Sequence, residues 1–238
     1  MAKLICRCLP KIPVRYCHYS SFFAKESKMK TAGIIVIGDE ILKGEVIDTN
    51  SNYMTTRLHQ LGVKVKKISV IGDIFEDICQ DIKTFSQKYT YVITTGGIGP
   101  THDDITFEAV AKAFDEPLIL HPDLVKLCTQ FYNTTDINSP GMKLARVPKS
   151  AKLTYLKTAK LNYPNVRVRN VYMFPGIPQL FERSFDMLSS TLFQSPCKFY
   201  TKYVYFNVTE DKIAKALDSL VKEFPDVLIG SYPQLFHR

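Results

Sequence analysis

Ala32 to Ile37 is an unbroken apolar run, rich in β-branched residues, that stops at Gly38 and opens three successive strand-then-helix repeats. Such a run suits a strand buried on both faces of a parallel sheet, because a strand with one wet face alternates polar and apolar residues. Beyond it, Asp48, Thr49 and Asn50 can cap a helix in which Met54, Leu58 and Leu61 recur at spacings of four and three, with Gly62 as its stop. Val63 to Val70 reads as a second strand, Ile78, Ile82 and Phe85 as the inward stripe of a second helix, and Tyr91 to Thr95 as a third strand. A third helix runs from about Asp104 to Phe114. Three β-α repeats within about 85 residues predict an α/β fold: a three-layer α/β/α domain with a mostly parallel sheet and right-handed crossovers.

The remainder predicts a helix over Asp123 to Tyr132, a polar loop from Asn133 to Gly141, and strands at Lys152 to Leu156 and Val166 to Phe174. A helix then starts at Pro178, with Leu180, Phe181, Phe185 and Leu188 inward. Strand Lys198 to Val208, helix Thr209 to Phe224 and strand Val227 to Gly230 make a small truncated β-α-β C-terminal unit. The division is a basic leader over 1–30, an α/β domain over 31–193 and the small α+β unit over 194–238.

A formal charge of +8 raises the question of nucleic acid, and its location answers it. Seven basic side chains stand against Glu26 alone in residues 1–30, leaving 24 basic and 22 acidic in the rest. A body so close to neutral lacks the basic stripe that duplex binding uses, so no nucleic-acid partner is expected. No apolar run approaches the roughly 20 residues that cross a bilayer, so no membrane partner is expected either. The six cysteines form no CxxC pair, which leaves neither a zinc site nor a disulfide framework indicated. In the leader, Lys3, Arg7, Lys11 and Arg15 recur every four residues, as in a mitochondrial transit peptide, although Pro10 and Pro13 oppose a helix in water. The alternatives are a disordered basic tail or translation from Met29. The expectation is an unstructured leader whose removal leaves folding intact, with the protein in the mitochondrial matrix if the leader is used and in the cytoplasm otherwise.

Ligands of doubly wound sheets collect at the carboxyl ends of the strands. There the first strand runs into Gly38-Asp39-Glu40-Ile41-Leu42-Lys43-Gly44 and on to Asp48-Thr49-Asn50. The third runs into Gly96-Gly97-Ile98-Gly99-Pro100-Thr101-His102-Asp103-Asp104-Ile105-Thr106. Glycines let the backbone approach a phosphate closely. Carboxylates beside a phosphate repel it unless a divalent cation lies between, so the combination points to a metal-bound nucleotide phosphate. Plain turn chemistry and helix capping would account for either loop alone, but not for four acids at one edge. Neither loop matches the GxGxxG or Walker pattern. Phe174-Pro175-Gly176-Ile177-Pro178 either closes the pocket or forms a rigid strand-to-helix turn.

The GDEIL…G…DTN and GGIGPTHDDIT runs resemble the MoaB/Mog molybdopterin-binding family, in the variant that includes CinA proteins and the N-terminal domain of eukaryotic FAD synthase. VRNVYMFPGIP and the late GSYP resemble the animal FAD synthase form most. The likeness spans about residues 31–233. It matches Asp104 to the acid after the glycine loop; with the loop chemistry, the expected catalytic residues are Asp104, Asp103 and Lys43, with Lys43 or His102 to offset developing charge. It implies Asp39, Asp48 and Asp104 as metal ligands for magnesium, manganese or cobalt. Gly38, Gly96, Gly97, Gly99, Thr101, Thr106, Pro175 and Gly176 then hold the nucleotide phosphates. The ligands implied are FAD, ADP-ribose or a pterin nucleotide, and self-association into a homo-oligomer fits the family.

Two departures limit the transfer. Where CinA-like members carry an Asn-x-x-Gly-Thr-Ala-Pro-Gly segment, Lys157 to Pro164 stands instead, and the later domain that transfers AMP to FMN in FAD synthases has no counterpart before Arg238. The expectation is a metal-dependent pyrophosphatase of FAD or ADP-ribose. A non-catalytic flavin- or pterin-nucleotide-binding or regulatory module is the alternative, and molybdopterin adenylylation a third.

Overall fold

The computed structural model describes residues 2–8, 29–155 and 163–233, and for 2–8 the backbone alone. Expectations placed on residues 9–28 and 156–162, among them most of the leader and of the Lys157 to Pro164 departure, lie outside them. Chain order runs β1 (Ala2–Cys8), β2 (Thr31–Ile37), α1 (Asp39–Leu42), α2 (Asn50–Gln60), β3 (Lys64–Ile71), α3 (Phe75–Lys88), β4 (Tyr91–Thr95) and α4 (Thr106–Ala113). There follow β5 (Leu118–Leu120), α5 (Pro122–Tyr132), a 3₁₀ turn Pro140–Ala145, β6 (Arg146–Pro148), β7 (Lys152–Thr154), β8 (Asn165–Val168), β9 (Val171–Phe174) and α6 (Pro178–Leu192). Last come β10 (Tyr200–Phe206), α7 (Glu210–Glu223) and β11 (Val227–Pro233). The chain divides into two compact units, one of Met29–Ser195 and one that joins residues 1–28 to 196–238.

In the larger unit a six-stranded sheet runs β3-β2-β4-β9-β8-β7, with β3, β2, β4 and β9 parallel, β8 antiparallel to β9 and β7 antiparallel to β8. Strand alternation sends side chains into two cores. Ile35, Ile37, Val92, Val171 and Met173 pack with α3 and α4 on one face, while Ala32, Ile34, Val36, Ile93, Tyr172 and Phe174 pack with α2 and α6 on the other. The second core carries a row of rings. Phe181 stacks on Phe185 at 5.3 Å and Phe185 on Phe193 at 5.6 Å, with Phe174 edge-on to Phe181 at 5.7 Å. Each ring is fully buried and contributes about 1.5–3 kcal/mol. This is the three-layer, mostly parallel α/β fold that the hydrophobic pattern predicts.

The stretch Val166 to Phe174, read as one strand, is two. Arg169 takes a left-handed backbone (φ 51°), which reverses the chain and sets β8 antiparallel to β9. The Asn170 amide fixes the turn by donating to the carbonyls of Ser86 and Tyr89 at 3.0 and 2.9 Å. The third helix starts at Thr106 rather than Asp104, so both aspartates precede it.

The smaller unit departs further from the sequence reading. Its sheet has the order β10-β1-β11, so Ala2–Cys8 is neither helical nor unstructured but the central strand, antiparallel to both neighbours. The physical reason is the ladder. Two strands joined by a helical crossover leave edges that a third strand satisfies, and the sequence Ala-Lys-Leu-Ile-Cys-Arg-Cys has neither glycine nor proline to prevent it.

Candidate active site at the carboxyl edge of the sheet

The site is assembled where β2, β3, β4 and β9 end. Gly38 donates its N–H to the Ile71 carbonyl at 3.0 Å, tying the loop after β2 to the end of β3. Next, Asp39 N–H donates to Asp73 Oδ2 at 3.0 Å and Asp73 N–H to Asp39 Oδ1 at 3.3 Å. Asp39 also pairs with Lys43 at 3.2 Å, one turn along, and its hydrogen bond and charge raise the lysine pKa.

The loop after β4 is fixed from within. Gly96 (φ 105°) and Gly97 (φ 62°) occupy backbone that disfavours a side chain; a Cβ on Gly96 would strike the Ile37 carbonyl and one on Gly97 the Thr106 hydroxyl. Thr106, fully buried, donates its hydroxyl to the Gly96 carbonyl at 2.9 Å and its N–H to the Gly97 carbonyl at 3.1 Å. Asp104 Oδ2 accepts from the Thr101 N–H at 2.9 Å and from the Thr101 hydroxyl. Lys143, from the 3₁₀ turn, donates to the Thr101 carbonyl at 2.6 Å and lies 3.9 Å from Glu108.

Asn50 joins three loops. Its amide donates to Thr95 Oγ1 at 3.0 Å and to the Gly176 carbonyl at 2.8 Å, and Thr95 in turn donates to the Pro175 carbonyl at 2.9 Å. Asn50 Oδ1 is buried with no hydrogen-bond partner. A Cβ on Gly176 would come within 3.2 Å of Gly96 Cα, so the two loops pack closely, backbone against backbone.

Between these loops lies a cavity of about 440 Å³. Gly38, Gly96, Gly97, Gly99, Gly176, Asp48, Asp103 and Asp104 of the expected set line it, joined by Glu40, Asn50, Asp73 and Thr95. Among the described residues its wall holds five carboxylates, from Glu40, Asp48, Asp73, Asp103 and Asp104, and no lysine, arginine or histidine. Apolar residues Ile41, Val46, Ile47 and Ile177 complete it. Burial, opposed by the Asp39 N–H and reinforced by Glu40, Asp39 and Asp103, raises the Asp73 carboxyl above its ordinary pKa.

Other expected residues stand off the wall. Asp39 and Lys43 hold each other beside it, Thr101 and Thr106 brace the glycine loop from behind, and Pro175 contributes a carbonyl to the network under Asn50. His102 is almost wholly exposed, 3.8 Å from Asp103. Asp48 accepts from the Ser51 N–H at 2.9 Å. Among the described residues no three His, Cys, Asp or Glu side chains converge tightly enough to enclose a metal ion, so Asp39, Asp48 and Asp104 do not meet as a triad. In the sequence Asn50 reads as a helix cap, and neither Asp73 nor Lys143 stands out. A signal for Asp73 was present: Val36-Ile37-Gly38-Asp39 recurs as Val70-Ile71-Gly72-Asp73.

An α/β domain with this edge site matches the family described as "Probable molybdopterin binding domain" over residues 33–194, and residues 198–238 match "FAD synthase, middle domain". The chain belongs to the molybdopterin-binding-domain family. It is 40% identical to a "Probable FAD synthase" of Caenorhabditis elegans, over 88% of this chain and 45% of the relative. It is 32% identical to a protein of Archaeoglobus fulgidus, over 84% of this chain and 85% of that one. Among solved structures, CinA of Thermoplasma acidophilum, described as of unknown function, superposes with a TM-score of 0.62 at 26% identity, over 68% of this chain and 98% of that one. The chain spans less than half the length of the Caenorhabditis relatives.

Proposed function

We propose that the cavity binds a nucleotide pyrophosphate of the FAD or ADP-ribose class together with a divalent cation, and that the chain hydrolyses its phosphoanhydride bond. The observation that carries this reading is the wall itself: five carboxylates and a glycine loop, with no basic side chain among the described residues. A pyrophosphate entering alone would meet like charge, whereas one carrying magnesium, manganese or cobalt would not. The donor set fits a hard cation even without a closed triad, since magnesium commonly takes one or two carboxylates and completes its shell from phosphate and water. Asp103 and Asp104 are the residues to hold it, and when bound it would polarise phosphorus and lower the pKa of a water.

The chain's own groups then have separate tasks. Gly97 to Gly99 present backbone to the phosphates, and Asn50 keeps that loop in register with Gly176. Asp73, with its carboxyl already raised, is the wall carboxylate suited to take the proton of the attacking water. A water oxygen-to-phosphorus bond forms as the bridging oxygen-to-phosphorus bond breaks, giving AMP and FMN from FAD. Family membership extends the ligand class to pterin nucleotides.

Asp48 and Asp104 already serve Ser51 and Thr101, which favours a second reading, a module that binds such a nucleotide without turnover. Incubation of purified protein with FAD and with ADP-ribose, with and without each cation, distinguishes the two. AMP release that needs the cation supports hydrolysis; saturable binding with no AMP supports the module.

A further inference from the structure

Among the described residues, every ladder bond of the smaller sheet passes through β1. Its seven residues pair with β10 from Ala2↔Phe206 to Cys8↔Tyr200, and the same seven pair with β11 from Ala2↔Pro233 to Cys8↔Val227. Because β10 and β11 both run antiparallel to β1, they are parallel to each other, with α7 as their connection, and they do not pair directly. At about 4.8 Å per strand spacing they flank a slot one strand wide. No residue of β10, α7 or β11 is fully buried. A two-strand sheet without a core is marginal at best, and these two strands without β1 are not even a sheet.

We infer that the space between β10 and β11 is a strand-acceptor site, filled in cis by Ala2–Cys8 and able to exchange that segment for an identical strand supplied in trans. Recognition is by main-chain hydrogen bonds on both sides of the entering strand, the mode by which sheet edges take up extended peptides. The segment suits the slot in length and content, since it carries no proline, and Pro10, lacking an N–H, cannot extend a central strand. Ala2–Cys8 held in this ladder is not displayed as a helix. Release of Ala2–Cys8 and its pairing with β10 and β11 therefore exclude each other.

The register gives a direct test. Cys6 lies opposite Lys202 on one side and Ile229 on the other. In a full chain with Cys8, Cys17 and Cys197 changed to serine, Lys202→Cys should form a disulfide with Cys6 under mild oxidation, while Tyr203→Cys, one residue out of register, should not. Equal trapping at both positions, or none at Lys202→Cys, overturns the placement. Hydrogen exchange then tests the exchange of strands. Amides of 200–206 and 227–233 should lose at least tenfold protection in a chain starting at Met29 and regain it when a synthetic peptide of residues 1–9 is added. Amides of 31–37 and 91–95 should stay protected throughout, showing that the rest of the chain is folded. Unchanged protection of 200–206 without the leader, or no recovery with the peptide, overturns the acceptor site.

Discussion

Asp39 and Asp73 each accept the backbone N–H of the other, at 3.3 and 3.0 Å, across the ends of two parallel strands. The reciprocity follows from a repeated Val-Ile-Gly-Asp whose copies lie side by side, with Val36 opposite Val70 and Ile37 opposite Ile71. Asp39 is thereby held in the bracket and Asp73 is set on the cavity wall. Of the two, Asp39 is the brace.

If so, Asp39→Ala should lower stability by about 0.5–1.5 kcal/mol, a Tm drop of a few degrees, while Asp39→Asn, which still accepts, should lose less. Thermal unfolding of both variants checks this. Cation-dependent nucleotide binding should persist in Asp39→Asn; its abolition there would make Asp39 a ligand rather than a brace.

Asp73 provides a pH test. Its folded pKa is raised, so between the unfolded and folded values the native state binds more protons, and stability falls as pH rises through that acidic window. The cost is then present at neutral pH. Asp73→Asn, which keeps an oxygen to accept the Asp39 N–H, should flatten that part of the stability curve and raise stability at pH 7. The same variant should lose turnover more than nucleotide affinity. Denaturant midpoints between pH 3 and 7 read the first effect, and kcat against KM the second.

Asn50→Ala should cost about 1–3 kcal/mol, because Thr95 and the Gly176 carbonyl lose a buried donor. Loops after β4 and β9 should loosen together. Hydrogen exchange should rise in 95–99 and 175–177 and nowhere in α3; a rise confined to α2 would contradict the three-loop role.

Asp104→Asn keeps an acceptor for Thr101 but loses the charge. Folding should be near wild type, and AMP release should fall on the order of a hundredfold or more. Near-normal turnover would leave Asp104 only its loop contact.

The larger unit was legible in the sequence because strands buried on both faces read as unbroken apolar runs, and β2 and β4 fall where Ala32 to Ile37 and Tyr91 to Thr95 do. The turn at Arg169 was not, since an arginine in left-handed backbone carries no turn signature. Nor was β1: pairing with strands some 200 residues away leaves no local trace, and the fourfold spacing of its basic residues suggests a helix instead. At the site, glycines and acids marked the loops, but which acids face the cavity depends on pairs such as Asp39–Asp73, set by strand register rather than by local sequence.

A wall of five carboxylates, with no basic side chain among the described residues, should admit a pyrophosphate only with a cation. Calorimetric titration of ADP-ribose into the protein, in magnesium or manganese and again in chelator, tests it most directly. The account predicts an affinity at least a hundredfold weaker in chelator; equal affinity under both conditions would contradict it.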